Sequence, residues 1–376
     1  MVIKDIEIKN FRNYGSQKIE FYKGINIIYG NNGVGKTNLL ESIYVLAMTK
    51  SHRFFIDNSL VKENSLFSKI KGNIKIGNLK TNLEIIINET GKKLKIDNND
   101  IKKVSDYISK MNIIIFYPED LEIIKSSPIT RRNFINLELS QLESDYYKLL
   151  NDYNKLLKIR NDYLKKIQKN IKVDESYFNI ITEYMINKAC LIYIMRNKFI
   201  NKINNYVTDI YNNISGIDNF KLIYKPSINI QNYEKEEIKK ILVQKYKDIY
   251  NNEIKIGSTI IGPHKDDIEF YIGDKNLKNY GSQGQQRLAV LSMKLAEIEI
   301  FKLYKNTKPI LLLDDVFSEL DDKKINKLLK YIGSNIQTII TTTDLNKINK
   351  KIIKKSKKIK INNGEVIKVE EVDKNE

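Results

Sequence analysis

The sequence predicts an α/β protein in which a parallel-sheet domain is divided between the two ends of the chain by a mostly helical insert. Three observations carry that expectation. A phosphate-binding loop, Gly30-Asn31-Asn32-Gly33-Val34-Gly35-Lys36-Thr37, follows a short apolar strand and opens a helix. Near the other end, Pro309-Ile310-Leu311-Leu312-Leu313 is almost wholly apolar and ends in Asp314-Asp315. Between the two, apolar residues recur at alternating spacings of four and three, the mark of long paired helices.

The bulk composition agrees with two lobes. At 376 residues the chain exceeds one ordinary compact core and suffices for two domains of common size. Hydrophobic residues at 41% and charged residues at 29% exclude the disordered and collagen-like classes. The opening Met-Val-Ile-Lys-Asp-Ile-Glu-Ile carries charge where a signal peptide would be apolar, and no run of about eighteen apolar residues occurs. The expectation is a cytoplasmic protein with no membrane partner. Cys190 stands alone, cannot form an internal disulfide and reads as a buried thiol. The formal charge of +18 favours a polyanion, because each phosphate neutralised releases condensed counterions. A chain this rich in Lys, Asn and Ile reaches that balance without any ligand, so charge alone leaves nucleic acid a candidate.

Taken in order, residues 1–8 alternate as a strand, and Ile25-Asn26-Ile27-Ile28-Tyr29 is a short apolar strand stopping at Gly30. Residues 67–98 alternate apolar and polar, with breaks at Gly77-Asn78 and Glu89-Thr90-Gly91, which predicts a three-stranded antiparallel meander. Ile113-Ile114-Ile115-Phe116 is a further core strand. Ser127-Pro128 supplies an N-cap and a first-turn proline for a helix. The seam Leu142, Tyr146, Leu149, Tyr153, Leu156, Arg160, Tyr163, Ile167 follows, interrupted once by arginine. After a polar break at 168–176, Phe178, Ile181, Met185, Ile192, Met195 and Phe199 continue on a second helix, so the insert is expected to be an antiparallel helical hairpin. Strands are expected at 220–224 and 267–272, a helix from near Gly284 to about Tyr304, and a second buried strand at Thr338-Ile339-Ile340-Thr341. Apolar strands alternating with helices imply a sheet covered on both faces. The expected division is 1–126 and 256–376 for the split domain and 127–255 for the helical arm.

The loop has the chemistry of a nucleotide site. Its glycines let backbone N–H groups at Gly30, Asn31, Asn32, Gly33, Val34 and Gly35 wrap a phosphate, and the helix dipole adds to them. Lys36 is expected to reach the β and γ phosphates of ATP, and the Thr37 hydroxyl to complete a Mg²⁺ shell. Asp314, at the end of its apolar strand, is the second expected Mg²⁺ holder. A third segment, Tyr280-Gly281-Ser282-Gln283-Gly284-Gln285-Gln286-Arg287, opens a helix with small and amide-bearing residues. Such an N-terminus presents donors to an anion, and also makes an ordinary capped helix. As the loop already serves the chain's own nucleotide, a second anion site implies a second subunit.

Loop, third segment and acidic strand, in that order around a helical insert, resemble the ABC/SMC-type ATPases. Under that resemblance the fold is a P-loop ABC/SMC-type ATPase head with an inserted helical arm. Ser282, Gly284 and Gln285 match the Ser-Gly-Gly-Gln signature, with Gln283 in place of its first glycine, and would touch the γ-phosphate held by a second head in an ATP-dependent homodimer. Asp315 stands where the family places the glutamate that polarises the attacking water; with Lys36 it is the catalytic candidate, and the shorter acid implies slow hydrolysis. Ser318-Glu319-Leu320-Asp321 matches the loop that couples the two sites, and Thr343 stands where a γ-phosphate-sensing histidine is usual.

A narrower resemblance is to the RecF family of bacterial recombination-repair ATPases. It rests on Phe11-Arg12-Asn13-Tyr14, Lys50-Ser51-His52-Arg53, Pro118-Glu119-Asp120-Leu121 with Pro128 and Arg131-Arg132, Gly262-Pro263-His264-Lys265-Asp266-Asp267 and Asp315-Val316-Phe317-Ser318-Glu319-Leu320-Asp321. The sequence departs at Ser126 (glycine expected), Asn136 (aspartate) and Lys265 (arginine). The resemblance implies ATP-dependent binding of gapped single- and double-stranded DNA in recombinational repair and replication restart, with RecO and RecR as partners in recombinase loading. A transporter ATPase would lack a heptad insert of this length. A nuclease-linked relative with a zinc hook would need more than one cysteine and a longer arm. By charge, Arg131, Arg132, Lys155, Lys158, Lys165 and Lys166 are DNA-facing candidates, and each equally suits a solvated helix face. The lysines of 347–360 suit a surface helix followed by a closing strand. His52 and His264 lack ligands at metal spacing and are expected in polar structural or DNA-facing roles.

Overall fold

The structure, a computed structural model, describes residues 1–53, 57–318, 321–333 and 335–372. Packing divides the chain into two compact units, one of Met1–Asp120, Asn213–Gly216 and Leu291–Glu376, the other of Leu121–Asn212 and Ile217–Val290.

The first unit holds two six-stranded sheets. One runs in the order Glu365–Glu370, Ser356–Asn362, Ile25–Tyr29, Thr338–Thr342, Ile310–Asp314, Ile113–Phe116, and only its outermost pair, Ser356–Asn362 with Glu365–Glu370, is antiparallel. All residues of Ile310–Asp314, Thr338–Thr342 and Ile113–Phe116 are buried, as expected for strands covered on both faces, including the threonines and Asp314. Helix Lys36–Met48 contacts strands of both sheets, and Leu39 to Met48 are buried without a break, Glu41 and Ser42 included. At Gly72 the helix comes so near that a Cβ would lie 2.5 Å from the Leu46 Cδ2.

The second sheet is antiparallel, in the order Tyr14–Glu20, Val2–Phe11, Phe67–Ile76, Leu79–Asn88, Gly91–Ile96, Asn99–Ile101. The expected meander at 67–98 is present, but as the middle of a wider sheet. The strand Tyr14–Glu20 escaped a reading by alternation because its polar residues outnumber its apolar ones. On one face a cross-strand row reads Lys18, Glu7, Lys71, Glu84, Lys95, Asp100, alternating in sign at every step, with Glu84 buried beneath its neighbours. Ion pairs occur along it at 3.4 Å (Lys18–Glu7) and 3.6 Å (Lys95–Glu84), with Lys69–Glu84 and Lys93–Asp100 beside it at 2.9 Å. Cross-strand pairs of this kind contribute about 0.2–1 kcal/mol each, so part of the chain's basic charge stabilises its own sheet.

The second unit is the arm. Helices Pro128–Leu142 and Ser144–Gln168 meet at Glu143, whose extended backbone (φ −133°) breaks what the sequence suggests is one long helix. Arg160 to Thr182, Lys188 to Asp152 and Arg196 to Tyr146 bond across to Glu175–Ser215, and as one number falls the other rises, so the two helices form the expected antiparallel hairpin. Strands Phe220–Lys225, Asp267–Ile272 and Lys275–Asn276 form a small antiparallel sheet. Helices Lys235–Asp248 and Tyr250–Ile256 are not foreseen by the sequence reading; Ile238, Leu242 and Tyr246 bury one face of the first amid lysines and glutamates.

The arginine that interrupts the seam is 1% exposed. Arg160 pairs with Glu253 at 2.6 Å, donates to Thr259 at 2.7 Å and lies over the rings of Tyr246 and Phe178 at 4.6 and 5.2 Å. The packing boundary therefore differs from the expected one after residue 255. Arg160–Thr259, Arg196–Asp266 (2.8 Å) and Arg131–Asp267 (2.5 Å) tie 259–267 to the arm helices, and residues 256–290 belong with them. Among the described residues no helix is long and apolar enough to cross a membrane.

Candidate nucleotide site and signature helix

Strand Ile25–Tyr29 aims the chain into the loop, and helix Lys36–Met48 leaves it. Gly35, the residue before the helix, has φ 110°, and a Cβ there would fall 2.7 Å from Asn13 Nδ2, so only glycine fits. The Lys36 ammonium donates to the Gly30 carbonyl at 2.9 Å and the Asn31 carbonyl at 2.7 Å. Burial lowers its pKa, while Asp315 and Asp314 pull the other way. A cation sheltered by neutral carbonyls is stabilised further by an arriving anion.

Sheet register assembles the acidic side. Asp314 lies opposite Thr341, and Thr341 opposite Ile28 of the strand entering the loop. Asp314 Oδ1 accepts from the Thr37 hydroxyl at 2.9 Å and the Thr341 hydroxyl at 2.6 Å. Burial raises the Asp314 pKa, opposed by those two hydrogen bonds and by Arg53. Thr37 and Asp314 thus offer two hard oxygens side by side, a donor set suited to Mg²⁺, which takes few protein ligands and completes its shell with phosphate and water. Asp315 has a left-handed backbone (φ 49°), uncommon for a residue with a side chain, and its N–H donates to Thr341 Oγ1 at 2.9 Å.

A ring of residues outside the loop sequence holds the loop from behind. Tyr14 donates its hydroxyl to Gly35 O at 2.9 Å, Asn13 donates to Val34 O at 3.3 Å, and Asn38 fixes Asn13 at 2.9 Å. Gly364, in the turn of the C-terminal hairpin, donates its N–H to Val34 O at 2.8 Å. Arg12 grips both oxygens of Glu41 at 3.0 Å, and Ser51 joins them at 2.5 Å. The segments 11–14 and 50–53 are therefore support for the loop helix. Their family motif marked them, but no local pattern gave the role. Thr341 was likewise unmarked; its signal was a polar residue in register with the acid.

Ser282, Gly284 and Gln285 lie in the second unit, at the start of helix Gln283–Lys305. Ser282 N–H donates to Gln285 Oε1 at 2.9 Å, and Gln285 N–H to Ser282 Oγ at 3.3 Å. This reciprocal pair is a capping box, and it leaves Ser282, Gln283 and Gly284 exposed. Tyr280, just before them, is 74% exposed.

Of Ser318-Glu319-Leu320-Asp321, Glu319 and Leu320 lie outside the described residues; Asp321 caps helix Asp322–Ile332 through Lys324 N–H at 2.9 Å. Thr343 is exposed just past strand Thr338–Thr342. Arg131, a charge-based DNA candidate, is instead buried against both oxygens of Asp267, and Arg132 donates to Asp266 O at 2.6 Å. Lys155, Lys158, Lys165 and Lys166 are exposed. His264 is structural: it meets the Tyr153 hydroxyl at 2.7 Å and Thr259 O at 3.1 Å. His52 lies between the rings of Tyr44 and Tyr117, each 4.9 Å away, and burial pushes its pKa down to about 3. Of the departures, Ser126 has an ordinary φ of −78°, so glycine is not required, and Lys265 is exposed. Asn136 Oδ1 accepts from Tyr146 at 2.7 Å and Arg196 at 2.9 Å, leaving Asp266 to neutralise that arginine.

A loop closed over a buried lysine, a threonine and aspartate sharing one hydrogen bond, and a helical hairpin inserted before a capped signature helix define an ATPase head of the SMC type. The family described as the RecF/RecN/SMC N terminal domain matches residues 2–368. The chain is 40% identical over 368 residues to the DNA replication and repair protein RecF of Bacillus cereus (strain B4264), spanning 97% of this chain and 98% of that protein; the RecF of Bacillus thuringiensis (strain Al Hakam) matches at the same identity and coverage. It superposes on the recombination mediator protein RecF of the RecFOR pathway, solved with ATP and as RecF-ATPrS, with a TM-score of 0.89 at 33% identity over 97% of this chain. An SMC head bound to the C-winged helix domain of ScpA shares the fold, with a TM-score of 0.55 at 16% identity over the whole of both chains. The chain belongs to the RecF family.

Proposed function

We propose that this protein is a cytoplasmic, ATP-switched DNA-binding protein of recombinational repair and replication restart, acting on gapped single- and double-stranded DNA with RecO and RecR as partners. The observation that carries the reading is the Thr37–Asp314 contact at 2.9 Å beside a buried Lys36, in a chain that matches RecF along 97% of its length. Lys36 exchanges its two carbonyl acceptors for the β and γ phosphates, and the N–H groups of 30–35 surround the phosphate chain. Thr37 and Asp314 would hold Mg²⁺. When bound, Mg²⁺ neutralises charge that develops on the phosphates during transfer. Asp315 orients the attacking water, and an acid one methylene shorter than glutamate makes that step slow. Ser282, Gly284 and Gln285 contact the γ-phosphate of a second copy, so that ATP favours the homodimer and the dimer grips DNA.

The test is binding to gapped duplex with and without ATP across a salt series. Six to ten phosphate contacts would lose about 10³ to 10⁵ in affinity between 50 and 200 mM salt. Binding that ignores ATP, or that is flat in salt, removes the proposal.

A further inference from the structure

We infer that Thr341 is a positioning residue for both acids of the nucleotide site. One buried hydroxyl serves the two at once: it donates to Asp314 Oδ1 at 2.6 Å and accepts the Asp315 N–H at 2.9 Å. The inference rests on the nucleotide-site reading above and deepens it.

The geometry follows from register. Thr341 is the direct partner of Asp314 in the parallel pair Ile310–Asp314 and Thr338–Thr342, and both residues belong to strands buried from end to end. A threonine there could pack its methyl and send its hydroxyl to a backbone carbonyl. Instead the hydroxyl leaves the ladder for two functional groups. In one direction it fixes a carboxylate oxygen that Thr37 also touches at 2.9 Å. Thr341 is thus a second donor to Asp314, on a different strand from Thr37, whose hydroxyl oxygen would also be needed to hold Mg²⁺. In the other direction it accepts the N–H of a residue whose φ of 49° is disfavoured for a side chain with a Cβ. That N–H has left the strand pairing, which ends at Asp314 with Thr341, and the hydroxyl takes it up. Thr341 therefore links the spacing of the two acids to a single rigid point on the neighbouring strand.

The variants are Thr341→Val, which keeps the shape and removes the hydroxyl, and Thr341→Ser, which keeps the hydroxyl. Expected for Thr341→Val are a fall of about tenfold or more in kcat with little change in KM, a several-fold higher Mg²⁺ concentration for the metal-dependent gain in ADP affinity, and faster hydrogen exchange at the Asp315 amide without nucleotide. A buried hydrogen bond to a charged group is of that size. Thr341→Ser should restore all three. If Thr341→Val does not fold, Thr341→Ala gives the same comparison. Wild-type kcat, Mg²⁺ dependence and amide exchange in Thr341→Val overturn the inference, and so does an equal loss of all three in the Val and Ser variants. Lys36→Ala is the control for the underlying reading: if it leaves ATP affinity intact, the nucleotide site itself is misassigned, whatever Thr341 does.

Discussion

Two regions of the chain bury charge, and they do so in opposite ways. In the arm, Arg160 faces Glu253, Arg196 faces Asp266, and Arg131 faces Asp267, and each arginine donates further hydrogen bonds to a threonine, a tyrosine or the backbone. At the loop, Lys36 rests on neutral carbonyls, and Asp314 is neighboured by hydroxyls. The first arrangement is complete within the chain, so it fixes structure. The second leaves a cation and an acid each shifted toward its neutral form by burial, and each gains from a ligand of opposite charge. The signature helix stands between the two: the Ser282 and Gln285 N–H groups are satisfied by each other's side chains, at an exposed helix start.

The largest expected effect tests that intermediate case. Moving a monomer from 1:99 to 99:1 dimer takes about 5.5 kcal/mol of preference from ATP. Ser282→Arg should keep ATP binding, through Lys36 and Thr37 on its own head, and lose ATP-driven dimerisation and hydrolysis. Sedimentation with ATP, with ADP and without nucleotide reads this directly. A mutant that dimerises like wild type means the capping box is only a capping box.

Next comes the closed arrangement. Glu253→Ala leaves Arg160 charged and enclosed, and removal of one partner from a buried pair costs about 3–5 kcal/mol. Replacing both, as Arg160→Met with Glu253→Leu, should recover most of that loss. Urea unfolding of the three proteins makes the comparison. If Glu253→Ala is as stable as wild type, the arm's charges do not hold it together.

At the loop the prediction reverses. Lys36→Ala should change unfolding stability little, since the ammonium supports no core contact, and lower ATP affinity by about 1.5–3 kcal/mol, the range for hydrogen bonds to charged groups. Calorimetric titration with ATP and a urea curve on the same sample give both numbers. A variant that loses stability but retains affinity would place Lys36 with the arm arginines.

The same contrast decides what could be read from the sequence. Gly30 to Thr37 and the strand ending at Asp314 are local: a few adjacent residues make the shape, and their order alone announces it. The closed pairs are not. Arg160 and Glu253 stand 93 positions apart, and Arg131 and Asp267 stand 136 apart, so in the sequence Arg160 is an interruption of the seam and Arg131 a basic residue that suits DNA or a solvated helix face. Thr341 and Gly364 reach the site through sheet register and a hairpin turn, which exist only after strands have chosen neighbours. Helix Lys235–Asp248 went unread because one narrow apolar line in a charged segment is a weak periodic signal until Tyr246 finds the Ile261 carbonyl.

The smallest expected effect concerns His264, and it tests whether the arm's closed network extends to a neutral group. Its imidazole is held by Tyr153 and Thr259, and burial pushes its pKa from the ordinary 6.5 down to about 4. The unfolded chain therefore binds a proton at higher pH than the folded chain does. Between about pH 6.5 and pH 4 the unfolded state holds more protons, so the contribution is fully present above that window and is lost as pH falls through it. One pKa unit corresponds to about 1.4 kcal/mol, and half-titration at the upper edge reduces the loss between pH 6.5 and 5.5 to about 1 kcal/mol. His52, pushed down to about 3 by burial, adds a similar slope over the same interval. His264→Gln keeps hydrogen-bonding groups but does not titrate, so its stability should differ from wild type by a pH-dependent amount of about 1 kcal/mol between pH 6.5 and 5.5. The measurement is the urea unfolding free energy of both proteins at pH 6.5, 6.0 and 5.5. Parallel lines for wild type and His264→Gln would mean that the imidazole takes up its proton in the folded protein, and that the network around Gly262-Pro263-His264 is open to water where the arginine pairs beside it are closed.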